Sequence, residues 1–142
     1  MTTSAIKRTA AAHWQGRGTD GAGQLTTGST ILQDARYSYL TRFEEGIGTN
    51  PEELIAAAHA GCFAMKLAFN LQAAGFTADY IDARCEVVLQ DGCISASHLS
   101  INASVPGLSL ARFRELVDDA RQKCPVSQVL RADIHCTAHL NQ

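Results

Sequence analysis

Five cysteines are the residues in this chain best suited to chemistry, and their neighbours divide them into groups. Cys85 and Cys136 fall on alternating segments at positions that face inward, where a cysteine ordinarily serves as a small buried hydrophobe. Cys93 stands beside Asp91-Gly92, a strong hairpin signal. A two-residue loop there pairs Gln90 with Cys93 and Cys85 with His98, leaving Cys85 and Cys93 about five residues out of register. At ~3.3 Å per residue that separation far exceeds the ~7 Å Cα limit of a disulfide. No C-x-x-C occurs, and no Cys and His share the spacing of a structural zinc site. His135 and His139 lie on one strand face but ~13 Å apart by strand rise, too far to chelate one metal, so no metal or other cofactor is expected.

Cys62 and Cys124 differ in lying on helical stretches of apolar character. Taken alone, each is more readily read as inert packing than as a reactive thiol. Cys62 in particular is expected mid-helix, where the helix dipole gives nothing and burial raises a thiol pKa. To ionise it would need a fixed cation. One guanidinium at ~4 Å, at an effective dielectric near ~20, supplies ~4 kcal/mol, or about three pKa units.

The element that must position Cys62 is a long helix running from Pro51 to Ala74. Asn50 suits the N-cap, Pro51 the first helical position, and Glu53 can complete a capping box; Gly75 is the expected C′ residue. Between Leu54 and Ala74 the only formal charge is Lys66, so the polar stripe of a surface helix is missing. The rod is roughly 36 Å long, yet it lacks the ~18 consecutive apolar residues of a membrane span. Ala56, Ala57, Ala58, Ala60 and Gly61 allow close approach by another helix. The expectation is a helix packed on a sheet on one side and on a second subunit on the other.

Around it, residues 5–15, 24–33 and 36–43 read as strands of an antiparallel meander, with a Gly-rich turn at 16–23 and a loop at 44–49. Residues 79–90 and 93–105 form the hairpin. Ser109 caps a helix whose Leu110, Phe113, Leu116, Val117, Ala120 and Cys124 share a face. Pro125 breaks it, 126–130 makes a helical turn, and 133–140 is a last strand. This order predicts an α+β fold with antiparallel sheets packed around the long helix, in a single domain spanning 1–142. The 142 residues suffice for a real core. A formal charge of -2 and a pI near 6.2 give no footprint for nucleic acid or an acidic membrane. The N-terminus lacks the apolar h-region of a signal peptide, and five cysteines without one suit a reducing, cytoplasmic setting; their odd number argues against a purely structural disulfide framework.

Gly48-Thr-Asn-Pro-Glu-Glu-Leu54, then Ala58-His-Ala-Gly-Cys-Phe63, then Lys123-Cys-Pro-Val-Ser127 together resemble the family of osmotically inducible protein C (OsmC) and organic hydroperoxide resistance protein (Ohr). The element order is similar over essentially the whole chain, and Thr41-Arg-Phe-Glu44 favours the OsmC branch. The resemblance implies an intertwined homodimer with two interfacial sites and a thiol peroxidase activity toward organic hydroperoxides. It aligns Cys62 with the peroxidatic cysteine, Cys124 with the resolving cysteine and Glu52 with a carboxylate ten positions before the nucleophile. For the activating arginine it offers Arg42, the OsmC pattern, with Arg17 in the Gly-rich turn as the Ohr-like alternative; Arg42 is the choice. Cys85, Cys93 and Cys136 match no functional position.

The mechanism so implied has Arg42 hold Cys62 as thiolate while Glu52 orients the guanidinium. Cys62 becomes a sulfenic acid, Cys124 condenses with it to a disulfide, and an external dithiol, such as a lipoylated protein, reduces the bond. Phe63, Met65 and Phe69 offer apolar surface for an alkyl peroxide, though each is as readily a core residue. Glu52 lies ~15 Å along the helix from Cys62, so it serves that site only across the dimer interface or through a long arginine. Two alternatives stay open: a dimer that binds an apolar ligand, and a peroxide sensor without turnover.

Overall fold

Local chemistry sets where the first strands end. A computed structural model describes residues 4–141 and divides at Pro51 into two compact units. The first carries β1 (Ala10–Gln15), β2 (Ala22–Thr27) and β3 (Ala35–Ser38), an antiparallel sheet in the order β1-β2-β3. Trp14 and Tyr37 both register with Gly23, and their ring centroids are 5.4 Å apart. A Cβ on Gly23 would stand 2.5 Å from the Tyr37 ring, so the aromatic pair requires glycine there.

The strand expected over 24–33 stops at Thr27, because Thr27 and Leu32 close the following loop on themselves: Thr27 N–H donates to Leu32 O at 2.9 Å and Leu32 N–H to Thr27 Oγ1 at 3.2 Å. The strand expected over 36–43 also ends early, at Ser38. Tyr39–Phe43 is a short helix, α1, begun by a reciprocal cap in which Ser38 N–H donates to Thr41 Oγ1 at 2.7 Å and Thr41 N–H to Ser38 Oγ at 3.4 Å. Two side chains that satisfy the first amides outweigh the β preference of Tyr and Thr.

The long helix, α2 (Pro51–Ala73), ends as its sequence demands. Gly75 takes φ +88°, Phe76 N–H donates to Leu71 O at 2.8 Å, and Gly75 N–H to Gln72 O at 3.1 Å, a Schellman closure. His59, Phe63, Leu67 and Leu71, spaced by four, form its buried stripe. The opposite face is open: Met65 is 65% and Phe69 59% exposed, so residues 52–141 cover one side of the helix and not the other. By length and mean hydropathy α2 would suffice to cross a bilayer, but its buried stripe packs within the core of the second unit, as the helix of a folded domain does.

β4 (Tyr80–Gln90) and β5 (Cys93–Ser104) form the expected hairpin, with Asp91 at φ 52° and Gly92 at φ 76° as a type I′ turn requires. Gln90 pairs with Cys93, but a bulge at Val88/Leu89 shifts the ladder, and Cys85 faces Leu99 where a regular ladder would give His98. Then come α3 (Leu110–Lys123), α4 (Pro125–Val129) and β6 (Asp133–Asn141). β6 pairs with β5 in parallel, so the second sheet, ordered β4-β5-β6, is mixed where antiparallel pairing was expected. The connection through α3 and α4 is long enough for a crossover, which strand alternation alone does not reveal. Phe63, Leu67 and Leu71 of α2 meet Leu99, Ile101 and Ala103 of β5 and Phe113, Val117 and Ala120 of α3 in one core. The fold class is α+β, as the element order predicts.

Candidate active site

Helical geometry places Cys62 at the margin of the buried stripe, between buried His59 and exposed Met65, and its side chain is half-buried. Cys124 is fully buried where two helices meet. It closes α3, its N–H donating to Ala120 O at 3.0 Å, and it opens α4, its Sγ accepting from Ser127 N–H at 3.4 Å. Pro125 at the first position of α4 forces that change of direction, since it cannot continue α3. The corner brings the Cys124 thiol and the Val126 amide to Cys62: burial pushes the Cys62 thiol up, the Val126 N–H draws it down, and the neighbouring Cys124 thiol pushes it up again. The two cysteines that the sequence singles out are thus neighbours. Residues 52–141 supply no cation to Cys62, so within this unit its thiol is held protonated more firmly than a free one.

Behind the pair lies a cluster that sequence reasoning missed. His59 is fully buried, with Nδ1 2.6 Å from Ser97 Oγ and Nε2 2.7 Å from Ser127 Oγ. Ser127 Oγ is in turn 3.1 Å from Cys124 Sγ, and Ser97 Oγ 3.1 Å from Cys85 Sγ. A line of hydrogen bonds therefore runs from Cys85 on β4 through Ser97, His59 and Ser127 to Cys124. Burial lowers the His59 pKa, keeping the ring neutral. The available signal was the place of His59 on the four-residue stripe shared with Phe63: an imidazole on the buried face of an apolar helix must find polar partners inside.

Arg17 lies in the exposed Gly-rich turn and forks onto Asp20, with Nε 3.1 Å from Oδ2; that hydrogen bond raises the Arg17 pKa and lowers that of Asp20. Arg42 occupies the last turn of α1, its guanidinium 5.2 Å from the Phe43 ring centroid. Glu52 stands in the first turn of α2, on the same continuous helix as Cys62. Cys85 and Cys136 flank Leu99 and pack on the core, and Cys93 is exposed. Burial pushes the Cys136 thiol up to about 11. Among the described residues no three His, Cys, Asp or Glu side chains are grouped to hold a metal ion.

Known proteins carry the same arrangement of elements. The chain is 41% identical over 133 residues to Peroxiredoxin OsmC of Escherichia coli K12, covering 91% of this chain and 93% of that one. It is 36% identical over 105 residues to an organic hydroperoxide resistance protein of Xanthomonas axonopodis pv. citri, covering 67% of this chain and 68% of the relative. Its fold is similar to that of an OsmC-like protein from Mycoplasma pneumoniae, with a TM-score of 0.75 at 13% identity over 96% of this chain and 99% of the other. The family model described as OsmC-like protein matches residues 44–139, a span that holds the long helix, both neighbouring cysteines and all of the second sheet but the last two residues of β6, and the chain belongs to the OsmC family.

Proposed function

We propose that this protein is a cysteine-based peroxidase that reduces organic hydroperoxides to alcohols through Cys62 and Cys124. The observation that carries this reading is the placement of a half-buried thiol against a fully buried second thiol. The relatives add to it, being named a peroxiredoxin and an organic hydroperoxide resistance protein. The Cys62 thiolate attacks the distal peroxide oxygen, the O–O bond breaks, and the alkoxide takes a proton and leaves as alcohol. Cys124 then displaces hydroxide from the sulfenic acid, giving the disulfide and water. An external dithiol, for which a lipoylated protein is suited, restores both thiols.

Arg42 is the cation that ionises Cys62 in this proposal, and Glu52 fixes the guanidinium plane. A second copy of the chain covers the open face of α2, where Met65 and Phe69 are exposed, and the homodimer completes both sites. Neither nucleic acid nor a membrane is required as a partner, and the reaction suits a reducing, cytoplasmic setting.

The test is thiol counting with peptide mapping. One equivalent of cumene hydroperoxide is expected to consume two thiols per chain and to link peptides containing residues 62 and 124. In Cys62→Ser both thiol losses disappear, whereas Cys124→Ser stops at a sulfenic acid that dimedone traps. A full thiol count after peroxide treatment leaves the apolar-ligand reading standing instead. Disulfide formation that does not cycle with any dithiol reductant indicates a sensor.

A further inference from the structure

His59 has no part in the proposed reaction as stated so far, yet among the described residues it is the one imidazole sealed in the core of the second unit. Two hydroxyls hold it from opposite sides, Ser97 of β5 at Nδ1 and Ser127 of α4 at Nε2. The titratable groups facing it are thiols: Cys85 of β4, with Sγ 3.8 Å from Nδ1, and Cys124 through Ser127, with Cys62 one turn further along α2. Burial is the cause of its lowered pKa, with no carboxylate or cation contributing.

Cys124 has a difficulty that this cluster answers. To attack a sulfenic acid it must lose its proton, but it is 0% exposed, so solvent cannot collect that proton directly. Its oxygen neighbour is Ser127, whose hydroxyl reaches His59. With Cys124 as thiol, the hydrogen bonds order in one direction: Cys124 S–H donates to Ser127 Oγ, Ser127 O–H to His59 Nε2, and His59 Nδ1–H to Ser97 Oγ, which donates to Cys85 Sγ.

We infer that His59, acting through the Ser127 hydroxyl, accepts the proton of Cys124 as the Cys62–Cys124 disulfide forms. Ser127 passes its proton to Nε2 and takes that of Cys124 in the same movement. Cys124 sulfur then bonds to Cys62 sulfur, the S–O bond of the sulfenic acid breaks, and its electron pair leaves with hydroxide. The hydroxide becomes water with a proton from solvent at the half-exposed Cys62 side, and His59, itself 0% exposed, gives up its proton afterwards, when local opening of the cluster admits water. In sum Cys62–SOH and Cys124–SH give one disulfide and one water, the sulfenic acid being the oxidant. His59 is a positioning residue, since it reaches the reacting sulfur only through Ser127. A neutral ring is the form able to accept, and burial keeps it so down to a pH below the usual imidazole range.

This inference rests on the peroxidase reading, and its test separates the two. Pre-reduced protein is mixed with one equivalent of cumene hydroperoxide and quenched at intervals, with sulfenic acid trapped by dimedone and the remaining thiols counted. His59→Gln and Ser127→Ala are compared with wild type from pH 5 to 9. In both variants the resolving step is expected to slow at least tenfold relative to the peroxide step at pH 7, so dimedone adducts accumulate. The wild-type resolving rate is expected to plateau once His59 is neutral, while in the variants it climbs with pH as the thiol ionises unaided and approaches wild type under alkaline conditions. A packing role would not move the pH profile. Should His59→Gln fail to fold, Ser127→Ala carries the same test with His59 in place. Wild-type ratios and profiles in the variants overturn the relay while leaving the peroxidase standing; a wild type that never loses its second thiol overturns both.

Discussion

Replacing Arg42 with glutamine tests the electrostatic core of the proposal. Burial already pushes the Cys62 thiol above its ordinary range, and the Val126 amide offsets only part of that; no cation within residues 52–141 contributes. Ionisation at neutral pH therefore needs a charge from elsewhere, and a guanidinium at ~4 Å with an effective dielectric near ~20 supplies about 4 kcal/mol, or roughly three pH units. Removing it lowers the thiolate fraction at a fixed pH by up to ~1,000-fold. Part of that loss returns, because a thiolate of higher pKa is the stronger nucleophile: with a Brønsted slope of ~0.45, three units give back about 20-fold. The rate at one pH is thus an ambiguous readout, and the position of the pH profile is the clean one. The assay is the second-order loss of Cys62 thiol to cumene hydroperoxide under single-turnover conditions from pH 5 to 10. The rate rises as pH passes the thiol pKa, and in Arg42→Gln that rise is expected about three units higher than in wild type. Arg17→Gln serves as the control, since Arg17 is held by Asp20 in an exposed turn, and its profile is expected to coincide with wild type. A shift with Arg17→Gln and none with Arg42→Gln reverses the assignment. No shift with either refutes cation activation altogether.

Two further outcomes follow from single residues. Gly75→Ala places a Cβ where nothing lies within 4 Å but keeps φ at +88°, so its cost is purely conformational, about 1–2 kcal/mol. Thermal unfolding at fixed protein concentration is expected to show Tm lowered by roughly 2–8 °C, and an unchanged Tm would remove the Schellman closure from the account of how α2 ends. Iodoacetamide at pH 7.5 is expected to label exposed Cys93 well before Cys136, whose thiol burial pushes up to about 11; peptide mapping that finds Cys136 labelled first contradicts that burial.

Where the sequence was legible, the signal was carried by residues whose own backbone or side chain settles the structure. Pro51 and Gly75 bracket α2, Asp91-Gly92 turns the hairpin, and the apolar stripe of α3 ends in Cys124 as its spacing predicts. Where reading failed, the decision lay in partners distant in sequence or in competition between weak preferences. Tyr39–Phe43 has strand-like composition, but the Ser38–Thr41 cap wins because it satisfies amides that a strand edge would leave to solvent. The bulge at Val88/Leu89 and the parallel course of β6 depend on how strands meet, which no single strand encodes. The hydrogen-bonded cluster was missed for the same reason, since Ser97 and Ser127 are ordinary serines until the fold closes them onto His59.

The position of Cys62 on α2 connects these observations. At ~100° per residue, Cys62 stands about 60° around the helix from His59 on one side and from Met65 on the other. His59 is sealed in the core and Met65 is 65% exposed, so the sulfur between them lies on the boundary. The residue after Cys62, Phe63, is fully buried and the one before it, Gly61, is exposed, so the border of the core falls at position 62. In the proposed reaction two encounters are needed in sequence, peroxide from the open side and Cys124 from the closed side. The same border separates the two proton transfers inferred above: the leaving hydroxide draws on solvent at the open side, and the His59–Ser127 pair stands on the side where water is excluded.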